Sequence, residues 1–325
     1  MQLFSLTWLR VKIVGYGLRS LWKASPVSAD MNPFLKNMGY GPEDRVLITH
    51  IDDMGFCHAA NQASLQCLTQ GSATCASILV NAPWFQEAAM IAEDNPELDL
   101  GVHLTLTAEY PTFRWPALST RDPNSGLLDP SGYLWATRED AIRHVTVDAA
   151  ETEMRAQIDR ALEAGIDVTH IDTHMGSVVH PKFLARYLGL AAEYQIPAFL
   201  PRITRNRLEA LGESEMADEY LEILEWVQQE KTLTLDDILI ETMVPLDEKL
   251  GFYKNLISKI GPGITHLLFH PAVDGAELAA IADTHVSRHA DFEAFSDQRL
   301  RDFAQAQGIH LIGYRELKEH LRTRG

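Results

Sequence analysis

Eight short apolar runs, each followed by a stretch of helical periodicity, constrain this chain more than any other feature. They lie at Arg45–Ile51, Thr74–Val80, Leu98–Leu106, Val168–Asp172, Ala198–Arg202, Asp237–Glu241, Thr265–Phe269 and Ile309–Gly313. Most are continuously apolar rather than strictly alternating, the pattern of strands covered on both faces and so of a parallel sheet. Between them, Ala150, Met154, Ile158 and Leu162 mark one face of a helix that stops at Gly165. Pro181 opens a second carrying Leu184, Leu188, Ala191 and Tyr194, and Leu246, Leu250, Tyr253, Ile257 and Ile260 mark a third. Over 325 residues this alternation predicts an α/β fold, an irregular, TIM-barrel-like (β/α) barrel of parallel strands. A doubly wound open sheet is the alternative. No glycine-rich dinucleotide fingerprint follows the first run, where Ile51-Asp52-Asp53-Met54-Gly55 stands instead.

The predicted organisation is one barrel over residues 31–325 with two insertions, near 109–143 and 203–236. Connections as long as the first are usually functional loops. Residues 1–30 stand apart: Arg10, Lys12, Arg19 and Lys23 face the single acid Asp30. Their apolar stretch is too interrupted by charge for a membrane span or a secretory core. It reads as a dispensable extension before a start at Met31, or as a basic segment whose residues 1–25 rest on a membrane surface.

The net charge of −17 repels phosphate backbones and argues against a nucleic-acid partner. Cys57, Cys67 and Cys75 form no Cys-x-x-Cys pair, and three isolated thiols fit a reducing, cytoplasmic setting. The oligomeric state is not set by the sequence; a homodimer is open.

Chemistry gathers where the predicted strands finish. Asp52 and Asp53 end the first, His103 lies in the third, and Asp172 and His174 follow the fourth. Glu241 ends the sixth, His270 the seventh, and Tyr314 and Arg315 follow the eighth. In (β/α) barrels the strand C-termini build the active site. Asp52-Asp53 alone reads equally as a turn or as the cap of a helix near Cys57. A lone His103 is more often a core histidine, but His170-Ile171-Asp172-Thr173-His174 changes that balance. One carboxylate and two imidazoles with open positions make a hydrolytic metal site, and His270-Pro271 offers a general acid.

These residues resemble the YdjC-like carbohydrate deacetylases, which include chitooligosaccharide deacetylase. The family's Asp-Asp-Phe-Gly element reads Asp52-Asp53-Met54-Gly55, and its Gly-x-His-x-x-Leu-Thr element reads Gly101-Val102-His103-Leu104-Thr105-Leu106-Thr107. Its Thr-His-Leu-Asp-Ser-His becomes Thr169-His170-Ile171-Asp172-Thr173-His174, and its late His-Pro is His270-Pro271. The resemblance implies an irregular parallel barrel, one divalent metal ion (magnesium or zinc) on Asp53, His103 and His174, Asp52 as base and His270 as acid. It implies an N-acetylated sugar as substrate and acetate as product. Phe56, Tyr110 and Trp115 are candidates to stack on the sugar, and Arg288 is a candidate cation beside Asp52. The chain departs from the family in Met54 and in Thr49-His50-Ile51, where an asparagine commonly precedes the aspartates. Two alternatives stand: a metal-dependent phosphoesterase, which would need cations near the aspartates, and a non-catalytic metal-binding barrel.

Overall fold

The computed structural model describes residues 32–210, 213–229, 233–240 and 249–323. Seven of the eight apolar runs form strands of one parallel sheet: β1 (Arg45–Met54), β2 (Cys75–Ile78), β3 (Leu100–Leu104), β4 (Val168–Thr173), β5 (Asp237–Ile240), β6 (Gly263–Phe269) and β7 (Ile309–Leu311). The sheet runs β4-β3-β2-β1-β6-β5. On the other edge of β1, β7 pairs with Arg45–Leu47 and β2 with His50–Met54, so the two succeed one another along that edge. Every residue of β1 after Arg45 is buried, as expected of a central strand covered on both faces.

The eighth run, Ala198–Arg202, does not become a full strand. Only Ala198 and Pro201 form bridges, to Ile171 and Leu235 respectively. Pro197 and Pro201 carry no N–H, so a continuous ladder cannot run through them. Four backbone bonds still join this segment to β4 and to the approach to β5, but the sheet is not closed as a ladder. The chain leaves this gap into the helices Arg205–Ala210 and Ala217–Gln229, which cover it from outside.

The helix Val147–Glu163 starts at Thr146, whose hydroxyl accepts the Ala149 N–H, and ends before Gly165 at φ 81°. It buries Ala150, Met154, Ile158 and Ala161 at helical spacing. Its polar Glu153 is also fully buried and holds the long loop that follows β3. That carboxylate accepts from the backbone N–H of Leu118 and Ser119, the Ser119 hydroxyl, Asn81 and Gln157. Residues 1–31 and Glu241 lie outside the described residues, and no described helix is long and apolar enough to cross a membrane.

Candidate active site

Adjacent strand residues normally point to opposite faces, yet Asp52 and Asp53 both reach the cavity at the strand C-termini. The pairing of β1 with β2 slips between Ile51 and Met54, and Asp53 takes a positive φ of 67°. This irregularity swings the second carboxylate round beside the first, and aspartate tolerates that backbone region better than most residues. The cap alternative fails, because Cys57 is the N-cap of the following helix.

Asp53, His103 and His174, from the ends of three strands, converge. Asp53 Oδ1 is 3.4 Å from His103 Nε2 and 3.2 Å from His174 Nδ1, and the two nitrogens are 3.3 Å apart. Each ring is gripped at its far nitrogen by a carboxylate. Asp172 lies 2.9 Å from His103 Nδ1, and Glu109 lies 3.0 Å from His174 Nε2. With those nitrogens as N–H donors, His103 Nε2 and His174 Nδ1 turn lone pairs toward one another. Asp53 Oδ1 points into the same space, buried and without a hydrogen-bond partner among the described residues.

With both rings neutral, three acceptors with no proton between them repel unless a cation lies among them; in the absence of metal, a proton on His174 takes that place. Their nearly equal separations are those of donors placed about 2.0–2.2 Å from one ion. The residues therefore fit a divalent metal. Two further groups of carboxylates and histidines, His50-His170-Asp172 and Asp52-His103-Asp172, lie equally close. They fit less well: in the first, His50 and His170 spend both ring nitrogens on hydrogen bonds, and in the second, Asp172 already accepts from the Ser77 hydroxyl and holds His103 Nδ1.

Charge in the cluster is balanced locally. Burial alone would raise the Asp53 carboxyl, but Arg288 with His103 and His174 holds it well below the usual carboxylate range. Burial also opposes a charged His174, yet Glu109 and Asp53 outweigh it and bring the imidazole up to about 9. Arg288 Nη2 donates to Asp53 Oδ2 at 2.8 Å and to the Tyr110 hydroxyl at 3.0 Å. The expected cation beside Asp52 is thus beside Asp53 instead.

Asp52 is held by a histidine from within its own strand. His50 lies two positions earlier on β1, on the same strand face, and its Nδ1 is 2.8 Å from Asp52 Oδ1. His50 Nε2 meets His170 Nε2 at 2.8 Å, and the His170 ring stacks on Tyr314 at 4.0 Å between centroids. Gly101 makes room for this: a Cβ there would come within 2.5 Å of the His170 ring. The other oxygen of Asp52 lies 3.8 Å from Nε2 of His270, whose side chain is about one-third exposed at 34%.

Asp52, Asp53, His103, Tyr110, His174, His270 and Arg288 all line one cavity of about 1000 Å³. Phe56 and Trp115 do not reach it. Both are buried, with Phe56 packed under Tyr110 at 4.8 Å and the Trp115 Nε1 donating to the Thr107 carbonyl. Tyr314 and Arg315 are also absent from the mouth. β7 pairs with the start of β1, so Arg315 binds the Leu98 carbonyl and Asp167 at the opposite end of the sheet.

A family model described as YdjC-like protein matches residues 46–306. The carbohydrate deacetylase of Thermus thermophilus is 32% identical over 287 residues, 88% of this chain and 98% of its own. That of Thermoanaerobacter pseudethanolicus is 25% identical, covering 84% of this chain and all of its own. Among solved structures, a candidate cellobiose-phosphate cleavage protein of Enterococcus faecalis V583 matches with a TM-score of 0.68. It is 26% identical, over 84% of this chain and 99% of the other.

Proposed function

Because this chain belongs to the YdjC-like protein family, we propose that it is a metal-dependent hydrolase that removes the acetyl group from an N-acetylated sugar. The observation that carries this reading is the buried triangle of Asp53 Oδ1, His103 Nε2 and His174 Nδ1 beside a second carboxylate, Asp52. The substrate class comes from the relatives, which are carbohydrate deacetylases. Two imidazoles and one carboxylate suit zinc or a neighbouring first-row ion better than magnesium, which prefers an all-oxygen octahedron.

Held by those three residues, the ion would supply Lewis acidity, lowering the pKa of water and stabilising negative charge on the amide oxygen. The chain's own residues do the rest. Asp52, with one oxygen fixed by His50, takes the proton of the water that attacks the acetyl carbon. His270, 3.8 Å from the other oxygen of Asp52, delivers a proton to the departing nitrogen. Its imidazole lies below the ordinary histidine range, lowered by burial against the pull of Asp53 and Asp52. The proton it gives is therefore the one Asp52 has just removed. The C–N bond breaks, and acetate and a free amine result. Tyr110 and the cavity's charged and hydroxyl side chains face the sugar.

Against the phosphoesterase alternative, both arginines lining the cavity among the described residues are paired with carboxylates, Arg288 with Asp53 and Arg138 with Glu213. The test is an acetate-release assay over N-acetylglucosamine and its short β-linked oligomers, with a phosphodiester in parallel. Acetate release with zinc or cobalt added supports the reading. Phosphodiester cleavage without acetate release rejects it.

A further inference from the structure

Two chambers that differ in size and lining meet at the catalytic pair. The first is the 1000 Å³ cavity already described, whose lining adds Thr112, Glu139, Asp283 and Thr284 to the catalytic cluster, with Pro111 and Ile281 among them. The second has a volume of about 350 Å³ and lies over the gap left between β4 and β5 by the proline-interrupted segment. Phe199, Ile203, Leu208, Met216, Ile238 and Leu268 line it. Asp52, Arg138, Met175 and His270 belong to both chambers. Arg138 pairs with Glu213, so an ion pair between the two insertions stands at the junction.

A scissile amide attacked beside Asp52 and protonated by His270 must lie where the chambers join. Its two halves then occupy different surroundings. The amino sugar, rich in hydroxyls, matches the larger chamber with its greater number of charged and hydroxyl side chains, and the acyl group is directed into the smaller, more aliphatic one. An acetyl group offers only a methyl, about the size of a water molecule at roughly 30 Å³, and the apolar chamber is on the order of ten times larger. Left to a methyl alone, its aliphatic lining would stay wet or empty, a loss that a longer chain recovers.

Resting on the deacylase reading above, we propose that this chamber is an acyl site and that the enzyme prefers an N-acyl amino sugar with a chain of about six to eight carbons. Hydrolysis follows the same balance: water gives its hydroxyl to the acyl carbon and its proton to nitrogen, releasing the fatty acid and the free amine. Each methylene buried raises kcat/KM by roughly fourfold when fully desolvated.

The experiment compares kcat/KM of the zinc-loaded full chain on N-acetyl-, N-butanoyl-, N-hexanoyl- and N-octanoylglucosamine, read as free amine released. Octyl N-acetylglucosaminide serves as a control for an apolar group on the sugar. The expected result is a rise of at least tenfold from acetyl to hexanoyl, with hexanoate inhibiting at least tenfold more tightly than acetate. Ile203→Trp and Met216→Trp, which fill the chamber from the loop before Arg205 and from the turn before Ala217, should each lower the hexanoyl-to-acetyl ratio tenfold or more. Efficient deacetylation with hexanoyl hydrolysed more slowly, or the octyl glycoside preferred over the N-hexanoyl sugar, overturns the acyl site and leaves the deacetylase reading intact. No amine release from any N-acyl sugar overturns both.

Discussion

His50 Nδ1 lies 2.8 Å from Asp52 Oδ1, while His50 Nε2 faces His170 at the same distance. The carboxylate assigned as base is therefore oriented from inside the barrel, by a histidine with no access to substrate. His50→Leu should lower kcat about 10- to 100-fold while KM and bound metal change little, the range seen when an orienting partner is lost. His50→Asn, whose amide can donate from nearly the same place, should recover most of the loss. Steady-state kinetics with metal analysis check this; wild-type turnover in His50→Leu would remove the positioning role.

The cluster also carries a pH dependence. A divalent ion needs the neutral form of His174, whose imidazole is held up to about 9 by Glu109 and Asp53 against burial. Protons therefore compete with the ion at neutral pH, and affinity should rise steadily as pH approaches 9. The metal-free protein should show the opposite trend in stability. A raised imidazole contributes stability that is complete below its unfolded value near 6.5 and fades as pH rises through 9. Chelator competition and thermal melting between pH 6 and 9 should give slopes of opposite sign, and slopes of the same sign would contradict the assignment.

Glu153 is the anchor of the loop after β3, accepting five hydrogen bonds while fully buried. Glu153→Ala should cost about 3–5 kcal/mol, because it strands several buried donors at once. The same change should raise KM, since that loop carries Tyr110 and Thr112 into the cavity. Urea denaturation together with kinetics tests both effects. A loss below about 1 kcal/mol would mean that water replaces the carboxylate.

Much of this architecture was legible in the chain. Continuous apolar runs marked seven strands, and Gly165 and Pro181 ended and began helices where expected. The eighth run misled because Phe199 and Leu200 look like strand residues while Pro197 and Pro201 forbid the ladder. Strand-end positions brought the two aspartates, His103 and His174 to one mouth, and the family resemblance singled out Asp53 from the pair. Register decided the rest: β7 meets the beginning of β1, which carries Tyr314 and Arg315 away from the mouth. Arg288 was singled out but set beside Asp52 rather than Asp53, since a helix 235 residues distant in sequence gives no local sign of which aspartate it meets. His50 had a signal in its two-residue spacing from Asp52. Glu109 had only its place at the head of a long loop.

Metal dependence is the centre of the account, and acetate release by chelator-stripped protein tests it most directly. The stripped protein should release no acetate from N-acetylglucosamine oligomers, and one equivalent of zinc or cobalt should restore turnover in wild type but not in His103→Ala. Undiminished acetate release from protein shown to be free of metal would contradict it.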